Sequence, residues 1–250
     1  MHATQDFRPD AAYAHETTGA LLGAGAVIVW NDVTSDGRDQ FYDWHDKEHI
    51  PERLAIPGFR RGRRYIKPGH SPEWLTIYEA ADLSVLVSQT YLQRLNAPTP
   101  LTVSTLRYFR NTSRAVCRVV KSLGSSSGGF MLAMRVEVPG QQSEAFRELL
   151  TERVFPGVVS FTGVVACHVC AADAGASFTD TAESRTREFD VPPWVVLVEC
   201  TRPEAAERAR ESVASADLER LGAVIRSDAA VYSLEICRLA REHDSMQGKP

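Results

Sequence analysis

The segment from Asp43 to Gly58, DWHDKEHIPERLAIPG, concentrates side chains that can take part in catalysis. His45 and His49 lie four residues apart, so a helix places both imidazoles on one face. Asp46 precedes His49 by three residues. Imidazole titrates near neutral pH, so the segment predicts a general acid–base site. We expect His49 to transfer the proton, and His45 or Asp46 to orient its ring.

Four arginines on the next predicted strand, Arg60, Arg61, Arg63 and Arg64, form a second polar group around Gly62. Strand alternation places Arg60 and Arg64 on one face, and the matching residues of the second half of the chain are apolar. That face is therefore predicted to lie beneath helices. A buried guanidinium needs an anion, so the cluster is either a substrate clamp or a solvated edge with one buried pair.

The pocket predicted from these groups binds a small molecule. Arg53 or Arg64 is expected to hold a carboxylate or a developing oxyanion. The aromatic residues that could form its walls are Trp30, Tyr42, Tyr65, Trp74 and Tyr78. Such a site suits proton abstraction next to a carbonyl, decarboxylation, dehydration or ring isomerisation. The sequence has no glycine fingerprint for a nucleotide, and the main interpretation requires neither cofactor nor metal.

The chain repeats itself. Trp74 to Glu79 matches Trp194 to Glu199, at an offset of 120 residues, whereas Ile50 to Gly58 matches Phe155 to Gly163 at an offset of 105. The difference is an insertion of 15 residues in the second copy, around 171–190, whose Ala, Thr, Ser and Asp content predicts a solvated loop. The second copy has Leu150, Thr151 and Val154 where the first has His45, Asp46 and His49, which places the predicted site in the first copy.

Each copy is predicted to contain a strand, a helix, two strands, a helix and a strand, which is the ferredoxin-like βαββαβ unit. The predicted elements of the first copy are 26–31, 36–50, 59–67, 73–80, 83–95 and 108–120, and those of the second are 130–138, 142–154, 164–171, 194–200, 203–221 and 230–239. The fold class is therefore α+β. The units span 24–120 and 130–240, with a Ser/Gly linker at 121–129 and flexible tails at 1–20 and 241–250.

Composition and charge argue against several classes of function. The net charge of -4 argues against nucleic-acid binding. The longest apolar run, 19–30, is shorter than the roughly 20 residues that cross a bilayer, and the first residues lack the pattern of a signal peptide. We therefore expect no membrane partner and a cytoplasmic location. The five cysteines are expected to be reduced. Cys167 and Cys170 should face opposite sides of a strand, which disfavours a metal site.

The segments WHDKEHIPERLAIPGF, RRY and EWLTIYE resemble the dimeric α/β-barrel superfamily, and within it the EthD-like group. This resemblance implies a barrel made of two ferredoxin-like units, which usually belong to two chains. The duplication implies that here one chain supplies both, and two such chains could pair further as a homodimer. The superfamily includes isomerases, cyclases, decarboxylases, dehydratases, cofactor-free monooxygenases and haem enzymes, so the resemblance alone does not choose a reaction.

Three functions remain open from the sequence. The first is a cofactor-independent lyase or isomerase acting on a small aromatic or unsaturated carboxylic acid. The second is a haem- or oxygen-dependent oxidoreductase of the same superfamily, in which His45, His49 or His168 would bind iron if haem is present. The third is a non-enzymatic protein that binds a small acid.

Overall fold

Eight strands close into one antiparallel barrel in the computed structural model, which describes residues 20–186 and 188–241. The predicted tails therefore lie outside the described residues, apart from Ala20 and Arg241. The strands are β1 (Gly25–Val33), β2 (Phe59–Ile66), β3 (Trp74–Ala80), β4 (Phe109–Gly124), β5 (Phe130–Glu137), β6 (Val164–Ala172), β7 (Trp194–Cys200) and β9 (Ala230–Leu239). A short strand, β8 (Val224–Ile225), pairs only with β5.

The two halves contribute four barrel strands each in the same order. The first half is ordered β4-β1-β3-β2 and the second β9-β5-β7-β6. Pairing of β4 with β6 and of β2 with β9 closes the ring. The predicted α+β fold of two ferredoxin-like units is therefore confirmed. The strand β4 continues through Gly124, so the first residues of the predicted linker are strand instead.

Side chains fill the inside of the barrel. Alternation along each strand sends one row inward and the next outward beneath the helices. Cys170 faces the barrel interior, whereas Cys167 packs on the helix side, as alternation predicted. The largest apolar interior residues are Trp30, Tyr65, Ile77, Met131, Leu197 and Tyr232. Trp30 and Tyr65 therefore belong to the barrel core, and not to the wall of a pocket under the helices.

The same helical arrangement covers the outer face of each half. In the first half, α1 (Arg38–Trp44) runs through a π-helical turn (His45–His49) into α2 (Ile50–Leu54). In the second half, α6 (Ser143–Glu148), a π-helical turn (Leu149–Val154) and α7 (Phe155–Val159) follow the same course. Proline is the second residue of both α2 and α7, directly after the π-helical turn.

The second helical region of each half differs from the prediction. In the first half two short helices, α3 (Leu83–Leu86) and α4 (Gln89–Asn96), replace the predicted helix 83–95, and a third, α5 (Pro100–Leu106), was not predicted. Asp82, Ser88 and Thr99 cap their N-termini and so divide the segment. In the second half α9 (Pro203–Ala214) ends before the predicted residue 221.

The prediction of a solvated loop at 171–190 holds only in part. Its first residues belong to β6, and a short helix, α8 (Ala174–Ser177), follows. The segment then lies against the first half: the backbone N–H of Glu183 donates to Leu95 O at 3.1 Å, and that of Ala182 donates to Asn96 Oδ1 at 3.0 Å. Thr181 and Glu183 are buried. Polar composition did not reveal this packing, because backbone groups and buried hydroxyls make the contacts.

Candidate functional site

A small cavity lies between the α1–π–α2 helix and the outer face of β1 and β3. Its volume is about 40 Å³, enough for a few water-sized molecules. Its polar lining residues are Asn31, His45, His49, Thr76, Tyr78 and Glu183, and its apolar ones are Val29, Phe41, Trp44, Leu106 and Phe109. Three of the predicted site residues, His45, His49 and Tyr78, therefore share this cavity.

The π-helical turn brings the two histidines together. Their ring centroids are 5.8 Å apart and the planes differ by 26°, so the imidazoles stack. His49 also packs on Trp44, with centroids 4.2 Å apart, and its Nδ1 lies 4.0 Å from Glu52 Oε2. The i,i+4 spacing thus places both imidazoles on one side, as predicted, although the local helix is wider than an α-helix.

Hydrogen bonds fix the protonation of His45. Its Nδ1 lies 3.0 Å from Arg64 Nη1, and its Nε2 lies 3.0 Å from the Tyr78 hydroxyl. A guanidinium only donates hydrogen bonds, so Nδ1 accepts and carries no proton. Burial, with a smaller contribution from the charge of Arg64, holds the pKa of His45 well below its ordinary value of 6.5. His45 is therefore a neutral imidazole with its proton on Nε2.

The Tyr78 hydroxyl consequently points its own proton elsewhere. Its oxygen accepts from His45 Nε2–H, which leaves the phenolic O–H as a donor toward the cavity that Tyr78 lines. Burial raises the pKa of Tyr78 well above its ordinary value of 10. Tyr78 thus stays protonated at neutral pH. The result is a chain from Arg64 through His45 to Tyr78 that ends on a hydrogen-bond donor facing the cavity.

Arg64 holds His45 and is not a free cation. Its Nη1 also donates to Asp46 Oδ1 at 2.5 Å, and its Nε donates to Glu235 Oε2 at 2.8 Å. Tyr42 stacks on the guanidinium at 4.7 Å and donates its hydroxyl to the same Glu235 at 2.9 Å. The structure therefore places Asp46 and Tyr42 around Arg64, outside the cavity lining, where they orient the guanidinium.

Arg53 is likewise paired within the protein. It is buried, and its Nη2 donates to Glu183, which comes from the inserted segment of the second half. Its Nη1 lies 3.8 Å from Glu52 Oε2. Burial raises the pKa of Glu52, although Arg53 and Arg94 act in the opposite direction. The sequence analysis did not identify Glu183, because it is one of five carboxylates in the insertion and its contacts depend on the tertiary fold.

The prediction that Arg60 faces the histidines is wrong. A β-bulge between Phe59 and Arg61 shifts the alternation, and Arg60 is exposed. Arg61 and Arg63 point into the barrel, where Arg63 lies 3.0 Å from Glu79 and 2.8 Å from Glu199. The strand thus contains a buried ion-pair network that is separate from the site.

The aromatic walls also differ from those predicted. Trp74 is fully buried and packs against Phe41, with ring centroids 5.1 Å apart, but it does not line the cavity. Phe41, Trp44 and Phe109 line it instead. They belong to a core cluster and, at the same time, form one wall of the cavity.

The residues present do not fit a haem. His45 uses both ring nitrogens, and His49 packs on Trp44 with its Nδ1 4.0 Å from Glu52 Oε2. His168 lies inside the barrel, where its Nδ1 is 2.8 Å from Ser122 Oγ and its Nε2 is 3.2 Å from Glu199 Oε1. The described ranges also contain no group of three or more His, Cys, Asp or Glu side chains that could hold a metal ion.

Comparison with solved structures shows which fold this is. The chain is similar to an anthrone oxidase-like protein, with a TM-score of 0.58, 12% sequence identity, and coverage of 87% of this chain and 93% of that one. The chain has the dimeric α/β-barrel fold. No protein-family profile matches the sequence, and no curated protein matches it either.

Two further dimeric α/β-barrel proteins of similar structure differ in their named activities. One is named as a candidate monooxygenase of Fusobacterium nucleatum, with a TM-score of 0.51, 8% identity, and coverage of 89% and 96%. The other is the chlorite dismutase of Candidatus Nitrospira defluvii in complex with imidazole, with a TM-score of 0.53, 11% identity, and coverage of 86% and 92%. At such identities the likeness concerns the fold.

Across the described ranges, the helices are all too short or too polar to cross a bilayer.

Proposed function

We propose that the protein is an oxygen-dependent oxidoreductase that removes a proton from an electron-rich aromatic ketone or phenol and lets the resulting carbanion react with dioxygen, without haem. The observation that carries this proposal is the chain Arg64–His45–Tyr78, which ends on a phenolic donor in a cavity with aromatic walls. Its role is to stabilise the negative charge that develops on a substrate oxygen.

His49 is the proposed base. It lines the same cavity as Tyr78, and the ring centroids of the two lie 6.1 Å apart. A substrate whose oxygen is bound to the Tyr78 hydroxyl can therefore place its acidic methylene, across the same ring, near the His49 imidazole. Two other lining residues, Asn31 and Thr76, complete the polar side of the cavity.

The proposed reaction balances with dioxygen as the oxidant. His49 takes a proton from an activated methylene, and the carbanion reduces dioxygen and combines with it to form a peroxide anion. The protonated His49 returns the proton, which gives the hydroperoxide. Loss of water from the hydroperoxide leaves a ketone. Overall, R₂CH₂ and O₂ give R₂C=O and H₂O, so both oxygen atoms and all electrons are accounted for. The similarity to an anthrone oxidase-like protein and to a candidate monooxygenase supports this choice over a lyase.

The cavity binds the reacting end of the substrate as an uncharged group. Arg53 and Arg64 are paired with protein carboxylates, Arg60 is exposed, and Glu183 is one of the lining residues. An anion at this position would meet no unpaired guanidinium from these residues. Because the space is small, a ring enters only when the segment that carries Glu183 moves aside.

Three further predictions belong to the same proposal: membership of the EthD-like group, origin by duplication, and pairing of two chains as a homodimer. Equivalent π-helical turns at His45–His49 and Leu149–Val154 support the duplication. A lyase or isomerase would also abstract the proton but would consume no oxygen. A non-enzymatic binding protein would neither abstract the proton nor consume oxygen.

Oxygen consumption with anthrone as the probe tests the proposal. We expect the purified protein to consume oxygen in proportion to anthrone, and His49→Gln to lower the rate by about 10² or more. His70→Gln is the matched control, because His70 contacts Asp228 and Tyr232 away from the cavity. An unchanged rate in His49→Gln contradicts the assignment of the base. Proton exchange at the methylene without oxygen uptake would support the lyase or isomerase interpretation instead.

A further inference from the structure

A second cavity lies beside the first, and Glu183 lines both. Its volume is about 20 Å³, room for one or two water molecules. Tyr91, Leu95 and Phe189 contribute to its walls, together with Arg114. Arg114 is the one cation among its described lining residues, and Glu183, the one carboxylate there, is already bound by Arg53.

Arg114 stands at the end of a row of residues that crosses the sheet through the proposed site. Arg64 on β2 lies opposite Thr76 on β3, Thr76 lies opposite Val29 on β1, and Val29 lies opposite Arg114 on β4. Neighbouring strands are about 4.8 Å apart, so the backbones of Thr76 and Arg114 are about 10 Å apart. Thr76 and Val29 line the first cavity. The row therefore connects the two cavities.

The guanidinium of Arg114 has spare hydrogen-bonding capacity. Its Nη2 lies 3.3 Å from the Tyr91 hydroxyl and its Nη1 lies 3.4 Å from Ser177 O, and both are long for hydrogen bonds. Arg53 and Arg64, by contrast, each bind carboxylates. Within 20–186 and 188–241, Arg114 forms no ion pair. A half-buried guanidinium with five donors and no anion is suited to a planar, bidentate carboxylate.

We infer that Arg114 binds the carboxylate of the substrate, so that the ligand is an aromatic acid with its reacting oxygen at Tyr78 and its carboxylate at Arg114. The Tyr91 hydroxyl accepts from Arg114 and can donate its own proton to the same carboxylate. The placement of the reacting end of the ligand at Tyr78 rests on the proposed function, whereas the carboxylate at its other end is inferred from Arg114. The acid predicted from the sequence is thus retained, with a different arginine as its partner.

Binding of a matched pair of probes tests this inference without turnover. One is a hydroxynaphthoate with its two substituents at opposite ends of the ring system, and the other is the naphthol that lacks the carboxyl group. We expect calorimetry to show that the wild-type protein binds the acid at least tenfold more tightly. Arg114→Gln should remove that preference and leave naphthol binding within about twofold, because only the charge-assisted contact is lost.

Arg185→Gln is the control, since Arg185 lies two residues from Glu183 in the inserted segment and pairs with Asp180 in solvent. It should keep the full preference. If the Arg114→Gln variant does not fold, the Arg114→Lys variant is measured instead. We expect its affinity for the acid to be about threefold lower than that of the wild-type protein, because a lysine is a poorer bidentate donor. Equal binding of the two probes by the wild-type protein, binding of neither, or an unchanged preference in the Arg114 variant would overturn the inference. An intact preference without oxygen consumption would contradict the proposed function alone.

Discussion

Arg64 of β2 and Glu235 of β9 form an ion pair that joins the two halves of the barrel at the edge of the candidate site, with Nε 2.8 Å from Oε2. Arg64 also donates to His45, so a carboxylate of the second half holds the guanidinium that orients a histidine of the first. The second half lacks the polar set, but it completes the site through Glu235 and Glu183.

Removing the charge of Glu235 should make the orientation of the His45 ring less fixed. In Glu235→Gln, the Arg64 guanidinium still pairs with Asp46 but loses the ion pair with residue 235 on β9. We expect the rate with anthrone to fall about tenfold, while the free energy of unfolding falls by only about 1 kcal/mol, because the pair is partly solvated. Denaturant unfolding and the oxygen assay measure the two effects. Glu137→Gln, which affects a partly exposed pair with Arg226, should change neither; equal losses in both variants would count against the link.

The buried pair of Arg53 and Glu183 should dominate the stability of the inserted segment. Glu183→Gln leaves Arg53 with Glu52 alone, at 3.8 Å, so we expect a loss of about 3 kcal/mol in the free energy of unfolding. Asp180→Asn in the same segment breaks a pair that lies in solvent and should leave the free energy of unfolding nearly unchanged. Similar losses in the two variants, measured by urea unfolding, would show that the buried pair does not hold the segment.

The Tyr78→Phe variant should distinguish the stabilisation of negative charge on the substrate oxygen from the packing of the aromatic ring. The ring stays, but the donor to the cavity and the acceptor for His45 Nε2–H are lost. We expect kcat to fall by about 10²-fold, as when one oxyanion donor is removed, with a loss of about 1 to 2 kcal/mol in stability. Tyr91→Phe should leave kcat unchanged and raise KM for an acid substrate. An unaltered kcat in Tyr78→Phe would remove Tyr78 from the mechanism.

The buried His45 should make stability depend on pH. Its pKa is depressed in the folded state, so the unfolded chain takes up a proton near pH 6.5 that the folded protein does not. The stabilisation is therefore complete above about pH 6.5 and declines as the pH falls below it, by at most about 1.4 kcal/mol per unit. Unfolding between about pH 5 and 7 should show a shallower slope in His45→Gln than in the wild-type protein. The same slope in both would mean that His45 is protonated in the folded state.

The repeat and the strand periodicity predicted the barrel, because both depend on local sequence patterns. Each half of the chain contains one copy of these patterns. The pairing of His45 with His49 followed from helical spacing in the same way. The direction of Arg60 did not, because one residue in a β-bulge reverses the alternation beyond it. Nor could the sequence distinguish a guanidinium that holds a protein carboxylate, as in Arg64, from one that has no ion-pair partner among the described residues, as in Arg114.

The role of the inserted segment could not be predicted for a related reason. Ala, Thr, Ser and Asp usually indicate solvent exposure, yet Thr181 and Glu183 are buried against the first half. Their burial depends on Leu95 O, Asn96 and Arg53, which are distant in sequence and are brought there by the barrel. Only a tertiary structure could place Glu183 between two cavities.

The central claim is that Arg64 and Tyr78 hold His45 as a neutral imidazole, so that the Tyr78 proton faces the cavity. Heteronuclear NMR of the imidazole nitrogens, assigned with His45→Gln, tests it most directly. We predict a proton on Nε2, none on Nδ1, and no titration of His45 between about pH 5.5 and 8. A proton on Nδ1, or a titration near pH 6.5, would contradict the account.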